Sequence, residues 1–318
     1  MSHSNYRKYL ERRQICADVC SGKGQKGDKG DKGQKGEKGE LNLKGDCWSE
    51  YIYWDSTSND WKIGGSSADF YRVHIGCDAG LNGQKGGAVA IGFNSGKIDQ
   101  KEAAVSVGQS AGETEQGVRA IAIGLQSGQN TQKIDAISIG TQAGQTNQEF
   151  DGIAIGRLAG GSNQRGNAIS IGRTAGQNDQ KQFAIAIGAD SGKLNQSESA
   201  ISIGFAAAAQ NQGARAIAIG QVSGHISQGS TGIAIGTSAG FQNQKSNGIA
   251  IGTVAGFSAQ KENAIAIGNT AGQTGQGVGS IAIGTTCAHN AQGDFAIAMG
   301  SNAVGGKHAH IMLKEILL

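Results

Sequence analysis

The sequence has no proline, and aromatic residues make up only 5% of its 318 positions. The few aromatics are unevenly placed: all five Tyr and all three Trp precede residue 72, and only Phe continues beyond it. A large close-packed core needs aromatic and long aliphatic bulk, so the composition argues against a conventional enzyme fold with an aromatic-lined pocket over most of the chain. No apolar run approaches the ~20 residues of a membrane span. The opening MSHSNYRKYLERRQ lacks the apolar core of a secretory signal, so no export by that route and no bilayer anchor are expected. The formal charge of +3 is too small to indicate a nucleic-acid partner. It is also local, with 11 Lys/Arg against 7 Asp/Glu in residues 1–47 and 17 against 18 in the rest.

Glycine is abundant, at 54 residues, and it falls into two repeats. The first has period three. Glycine occupies 24, 27, 30, 33, 36 and 39, is replaced by Asn42, and returns at Gly45. Only Gly fits at the crowded axis of three wound chains, so this interval predicts a collagen-like stalk over 22–47. Lys-Gly-Asp and Lys-Gly-Glu steps are phased to it, as at Lys26-Gly27-Asp28 and Lys35-Gly36-Glu37, and such pairs can meet between staggered chains. A charged, Gly-rich linker is the other reading of this run. Six triplets are marginal alone. Cys16 and Cys20 before the run and Cys47 after it are candidates for interchain disulfides that would fix its register; reduced thiols are the alternative.

The second repeat has period sixteen. AVAIG at 88–92 recurs without insertion or deletion through AIAMG at 296–300, with a degenerate first copy, RVHIG, at Arg72. Numbering the coil from Ala88 as position 1, positions 2 and 4 are Ile or Val except at Met299, and position 5 is always Gly. Position 8 is Ala, Ser or Cys287, and position 9 is nearly always Gly. Position 13 is Gln: Gln84, Gln100, Gln116, Gln132, Gln148, Gln164, Gln180, Gln196, Gln212, Gln228, Gln244, Gln260, Gln276 and Gln292. The I-x-I alternation has period two and reads as strand; sixteen residues are too few for a helix-pair repeat. The prediction is an all-β solenoid of about fifteen coils over 72–303, a rod of about 70 Å at the usual strand spacing. Positions 1 and 3 are Ala, Ser or Gly in every copy after the first. A solvent-facing strand would carry Thr, Lys or Glu, so this face is expected to be closely approached, as the interface of a homotrimer. A coil packed against its own second strand is the alternative.

The remaining segments frame the solenoid. Residues 1–21 read as a helical, trimerising segment, and 48–71 as an aromatic β-hairpin adaptor before the first coil. Residues 304–318 read as a cap over the last coil. The Gln column predicts a structural amide ladder. Asp99 and Glu115 share position 12, and Asp135 and Asp151 share position 16 with Arg119. These are expected to be surface charge ladders rather than the carboxylate pair of a glycoside hydrolase. Cys287 sits at a small, buried position. His308 and His310 could ring a trimer axis with metal-ligating imidazoles, but a polar tail is the expected state. No cofactor is expected, and no row of Thr suggests an ice-binding face.

The I-A-I-G-x-x-A-G coil resembles the head repeat of trimeric autotransporter adhesins, which implies a left-handed β-roll packed as a trimer over 72–303. That family's signal peptide and membrane barrel are not expected here. The GDKGDKGQKGEKGE run resembles the collagen-like proteins of giant viruses, and the order of stalk, hairpin and solenoid resembles viral surface-fibre proteins. The resemblance implies a fibre assembled in host cytoplasm, attached to the virion through its N-terminus and exposed on the surface. It also implies hydroxylation and glycosylation of Lys26, Lys29, Lys32, Lys35 and Lys38. The expected function is therefore display and attachment to a host glycan or receptor, without catalysis. A matrix component with no receptor and a tailspike-like hydrolase are the alternatives. Phe93, Arg157, Arg173, Phe205 and Phe257, at variable positions, are the candidate contacts.

Overall fold

The computed structural model describes residues 51–55, 58–64 and 71–304, and the backbone alone of 311–313. The segment 1–21 expected to be helical, the expected stalk with its lysines, Cys16, Cys20, Cys47, His308 and His310 lie outside the described residues.

Residues 72–303 form a parallel β-solenoid with one turn per sixteen residues, and no helix occurs among the described residues. The I-x-I segments pair in register: Ile153 on Ile169, Ala154 on Ser170, Ile155 on Ile171. They build one sheet of sixteen strands, from Val73–Ile75 to Ile297–Met299, with the backbone of Ile311–Leu313 added as the last. The fifteen repeat strands are thus joined by fourteen turns of the coil. Positions 11–13 form a second ladder of three-residue strands such as Asn130–Gln132 and Thr146–Gln148, joined through single bridges such as Thr146 to Ser162.

Glycine decides where the coil bends. Position 5 has φ near +125°, and a Cβ there would meet the next coil's backbone, as at Gly252, where Gly268 O lies 2.5 Å away. Position 9 has φ near +51° and faces the interior, where a Cβ would press on the Gln side chain at position 13. Non-glycine residues also take the left-handed conformation at positions 7, 12 and 16, among them Asn94, Asp99 and Asn167. Asn and Asp tolerate that region best, which explains their frequency at the turns.

The small-residue face is interior, which corrects the expected placement of the trimer interface. Ala88, Ala90, Ala104, Ser106, Ala120 and Ala122 are fully buried within the single chain, as are their equivalents along the rod. The reason is circumference. Sixteen residues with two turns leave two short strands back to back, so only Ala, Ser and the Gln side chain fit between them. The branched residues at positions 2 and 4 go outside instead. Nine position-4 isoleucines, from Ile123 to Ile267, are 36–38% exposed.

Before the first coil, Tyr51–Asp55 and Asp60–Gly64 form an antiparallel hairpin with Trp54 opposite Trp61. His74, where later copies carry Ala or Ser, meets Tyr53 edge-on at 4.3 Å. Its backbone N–H donates to Tyr51 Oη at 2.8 Å.

Candidate functional site

The interior Gln column is a built network. From Gln100 to Gln260 each Nε2 donates to the Oε1 of the next Gln, ending on Gln276, at 2.9–3.3 Å. The same amide also reaches two carbonyls: for Gln180, Ile169 O at 2.9 Å and Ala184 O at 3.2 Å. Gln180 Oε1 accepts from Gln164 and from the Ser170 hydroxyl at 2.7 Å. These side chains are buried throughout, and Gln84 is the most exposed at 5%. A column sealed from solvent holds the two sheets together and offers nothing to a ligand. Cys287 is equally buried, and burial raises its thiol pKa, against a smaller opposing contribution from the Ile283 backbone. Such a thiol is poorly reactive. Cys77, by contrast, is exposed.

The acidic columns engage basic neighbours. Arg119 forms a bidentate pair with Asp135 at 2.7 and 2.6 Å, which holds that carboxyl below its usual range. Asp99 pairs with Lys101 at 2.6 Å, and Glu115 accepts from Thr131 at 3.4 Å. Asp99 and Glu115 share a shallow depression of about 300 Å³ with Lys101 and Lys133. Its lining holds no aromatic ring on which a sugar could lie. Asp151 is exposed at its turn.

The outer surfaces of the two sheets differ sharply. The I-x-I sheet presents an unbroken two-wide apolar row along all fifteen repeat strands, Ile or Val throughout except Met299. The opposite sheet is mostly polar at positions 11 and 12, with Asn, Thr, Ser, Gln, Asp and Glu interrupted by Ile98, Leu194, Ile226 and a few Ala and Gly, and Asn147 donates a hydrogen bond to Asn163 in the next coil at 3.2 Å.

Among the candidate contacts, Phe93 and Phe205 are half-exposed at position 6, and Arg157 is exposed in the same column. Arg173 pairs with Asp190 at 2.6 Å. Asp190 also accepts from Thr174 and pairs with Lys193. Burial pushes its carboxyl up, but Thr174, Lys193 and Arg173 together hold it below the usual range. Phe257 stacks on Phe241 at 4.8 Å, and Phe241 on His225 at 5.2 Å. This three-ring stack is not apparent from Phe257 alone. The signal lies in the spacing, because residues 225, 241 and 257 all occupy position 10. A larger depression, about 680 Å³, separates the hairpin from the first coil and is lined by Tyr51, Tyr53, Trp54, Arg72 and His74. The His74 ring there is engaged by both tyrosines.

Compared with known proteins, the chain is matched by no protein-family model and by no curated sequence.

Proposed function

We propose that the protein is a structural and adhesive homotrimeric fibre whose solenoid head associates through the isoleucine face and displays its polar sheet. One observation carries this reading. The apolar face runs the full length of the head, and a contiguous exposed patch of that extent marks a contact surface on a soluble chain. A second and third copy are the occupants that match it, because each carries the same apolar row at the same strand spacing over the same length. The number three comes from reading the glycine triplets at 24–39 as collagen-like, since a collagen helix takes three chains.

The resemblance to viral surface fibres supports display on a virion, with the stalk as spacer and the N-terminus as attachment point. Function then rests on multiplicity: three chains present the same coils many times, so weak contacts to a host glycan or receptor add through effective concentration. No turnover is part of this reading.

The test is the absolute mass in solution of the full-length protein, by light scattering without reductant, beside a variant carrying Ile171→Lys, Ile203→Lys and Ile235→Lys. A wild-type trimer is expected, with a folded variant whose trimer dissociates on dilution at protein concentrations where the wild type does not. A trimer that resists dilution equally in both would place assembly in the stalk alone. A wild-type monomer would end the fibre reading. A broad glycan panel then separates attachment from a purely structural fibre, which would bind none.

A further inference from the structure

The ring stack at position 10 ends at a gap. His225, Phe241 and Phe257 lie in successive coils with ring planes within 10° of parallel. The next rung towards the N-terminus is Ala209, only 5% exposed, and the one beyond is Lys193. Ala209 ends the run FAAAA at 205–209, which no other coil repeats. The backbone keeps its register there, with Gln210 paired to both Leu194 and Ile226. The rung therefore lacks only its side chain. What remains is a slot of about 370 Å³, floored by Ala206 and Ala209. His225 stands at one end, Asp190 and Lys193 at the other, with Phe205 and Gln210 also lining it. Two strand spacings, about 9.6 Å, separate the Lys193 and His225 rungs, which leaves room for one ring between them.

The chemistry of the slot is mixed. Phe241 covers one face of the His225 ring, and the other face looks onto the empty rung. His225 Nδ1 lies 2.8 Å from the Ala206 carbonyl oxygen. A carbonyl only accepts, so Nδ1 carries the proton and Nε2 of the neutral ring is an acceptor. Asp190, Lys193 and the Gln210 amide add acceptors and donors around a floor of methyl groups. The carboxylate and the ammonium of the lining offset each other in charge. A flat ring face beside several hydroxyl-matching groups suits a ligand with an apolar C–H face and polar edges.

We propose that this slot is a binding site for one uncharged hexopyranose ring, held as the next rung of the stack. This deepens the attachment reading by naming a ligand class and its place, and it does not depend on the number of chains. Saturation-transfer NMR on the full-length protein tests it, with the methyl glycosides of glucose, galactose, mannose and N-acetylglucosamine as probes. Transfer to the ring C–H protons of at least one is expected. It should fall about five-fold or more in Ala209→Phe, which fills the rung, and in His225→Ala, which removes the stacking face. Circular-dichroism melts check that both variants fold, and Ala209→Phe only places a ring where two later coils already carry one. Transfer that survives in both variants overturns the site and leaves attachment standing. No transfer to any probe overturns the site as well, and attachment falls with it only if the protein also binds nothing on a broad glycan array.

Discussion

At the residue scale, the two regular glycines of the coil are not equivalent. A methyl at position 5 would strike backbone, whereas one at position 9 would press on the end of a Gln side chain. Nature has made the second change here: Ala208 and Ala288 occupy position 9 at φ near +45°. Gly256→Ala, whose Cβ would meet Gln260 Oε1 at 2.9 Å, is therefore expected to cost about 1 kcal/mol. Gly252→Ala should cost about 3 kcal/mol or more and open the coils around it, as read by hydrogen exchange. The glutamines act through satisfied buried polarity. Gln180→Met keeps the volume but removes the side-chain donor that the Ile169 and Ala184 carbonyls share with the strand ladder, leaves the Gln196 amide oxygen without its donor, and takes the acceptor from the Gln164 amide and the Ser170 hydroxyl. A loss of about 1–3 kcal/mol for each group left unpaired is expected, read as lost protection in the flanking coils. Asp190 ties the protein to pH. Its folded pKa lies below the ordinary 3.8, so its contribution is present above that value and is lost as pH falls through the lower folded one. The melting-temperature gap between wild type and Asp190→Asn should thus be full near about pH 6 and narrow as the pH falls below the ordinary 3.8.

At the element scale, each strand is only three residues long, and a two-coil fragment has little to hold it. Stability comes from stacking identical strands in register. The coil is then the indivisible unit, and deletions sort by length. Removing 152–167 joins Asp151 to Ala168, another position 1, and should leave a soluble solenoid one coil shorter. Removing 152–159 shifts every later residue by eight positions, which sets Gln164 on the position-5 bend where a side chain strikes the neighbouring backbone, and should yield insoluble protein. Solubility and circular dichroism of the two deletions decide between these outcomes. The hairpin at 51–64 follows the same logic of edges, since its tyrosines meet the first coil where no earlier coil exists.

At the scale of the whole molecule, the head has one apolar side and one polar side, and that asymmetry leads to assembly. Charged substitutions at Ile171, Ile203 and Ile235 are expected to change the mass in solution while leaving the melting profile of the coil nearly unaltered. Interior substitutions should do the reverse. If both classes moved both measurements together, folding and association would be one process.

The period, the strand, the bends and the Gln column were all legible in the sequence, because each repeats at one position of a sixteen-residue unit and local stereochemistry fixes its meaning. Glycine at position 5 and Asn or Asp at the turns state their backbone conformation residue by residue. The direction in which the strand faces was not legible. Alternation separates Ile from Ala but does not say which side is inside, and the usual rule that bulk is buried gives the wrong answer here. Only the closed coil decides it, because the gap between two sheets sixteen residues around admits methyl groups and one amide but not isoleucine. The slot at Ala209 was hidden for a related reason. A missing side chain becomes a site only when the rings of neighbouring coils, sixteen residues apart in sequence, are stacked into one column by the tertiary structure.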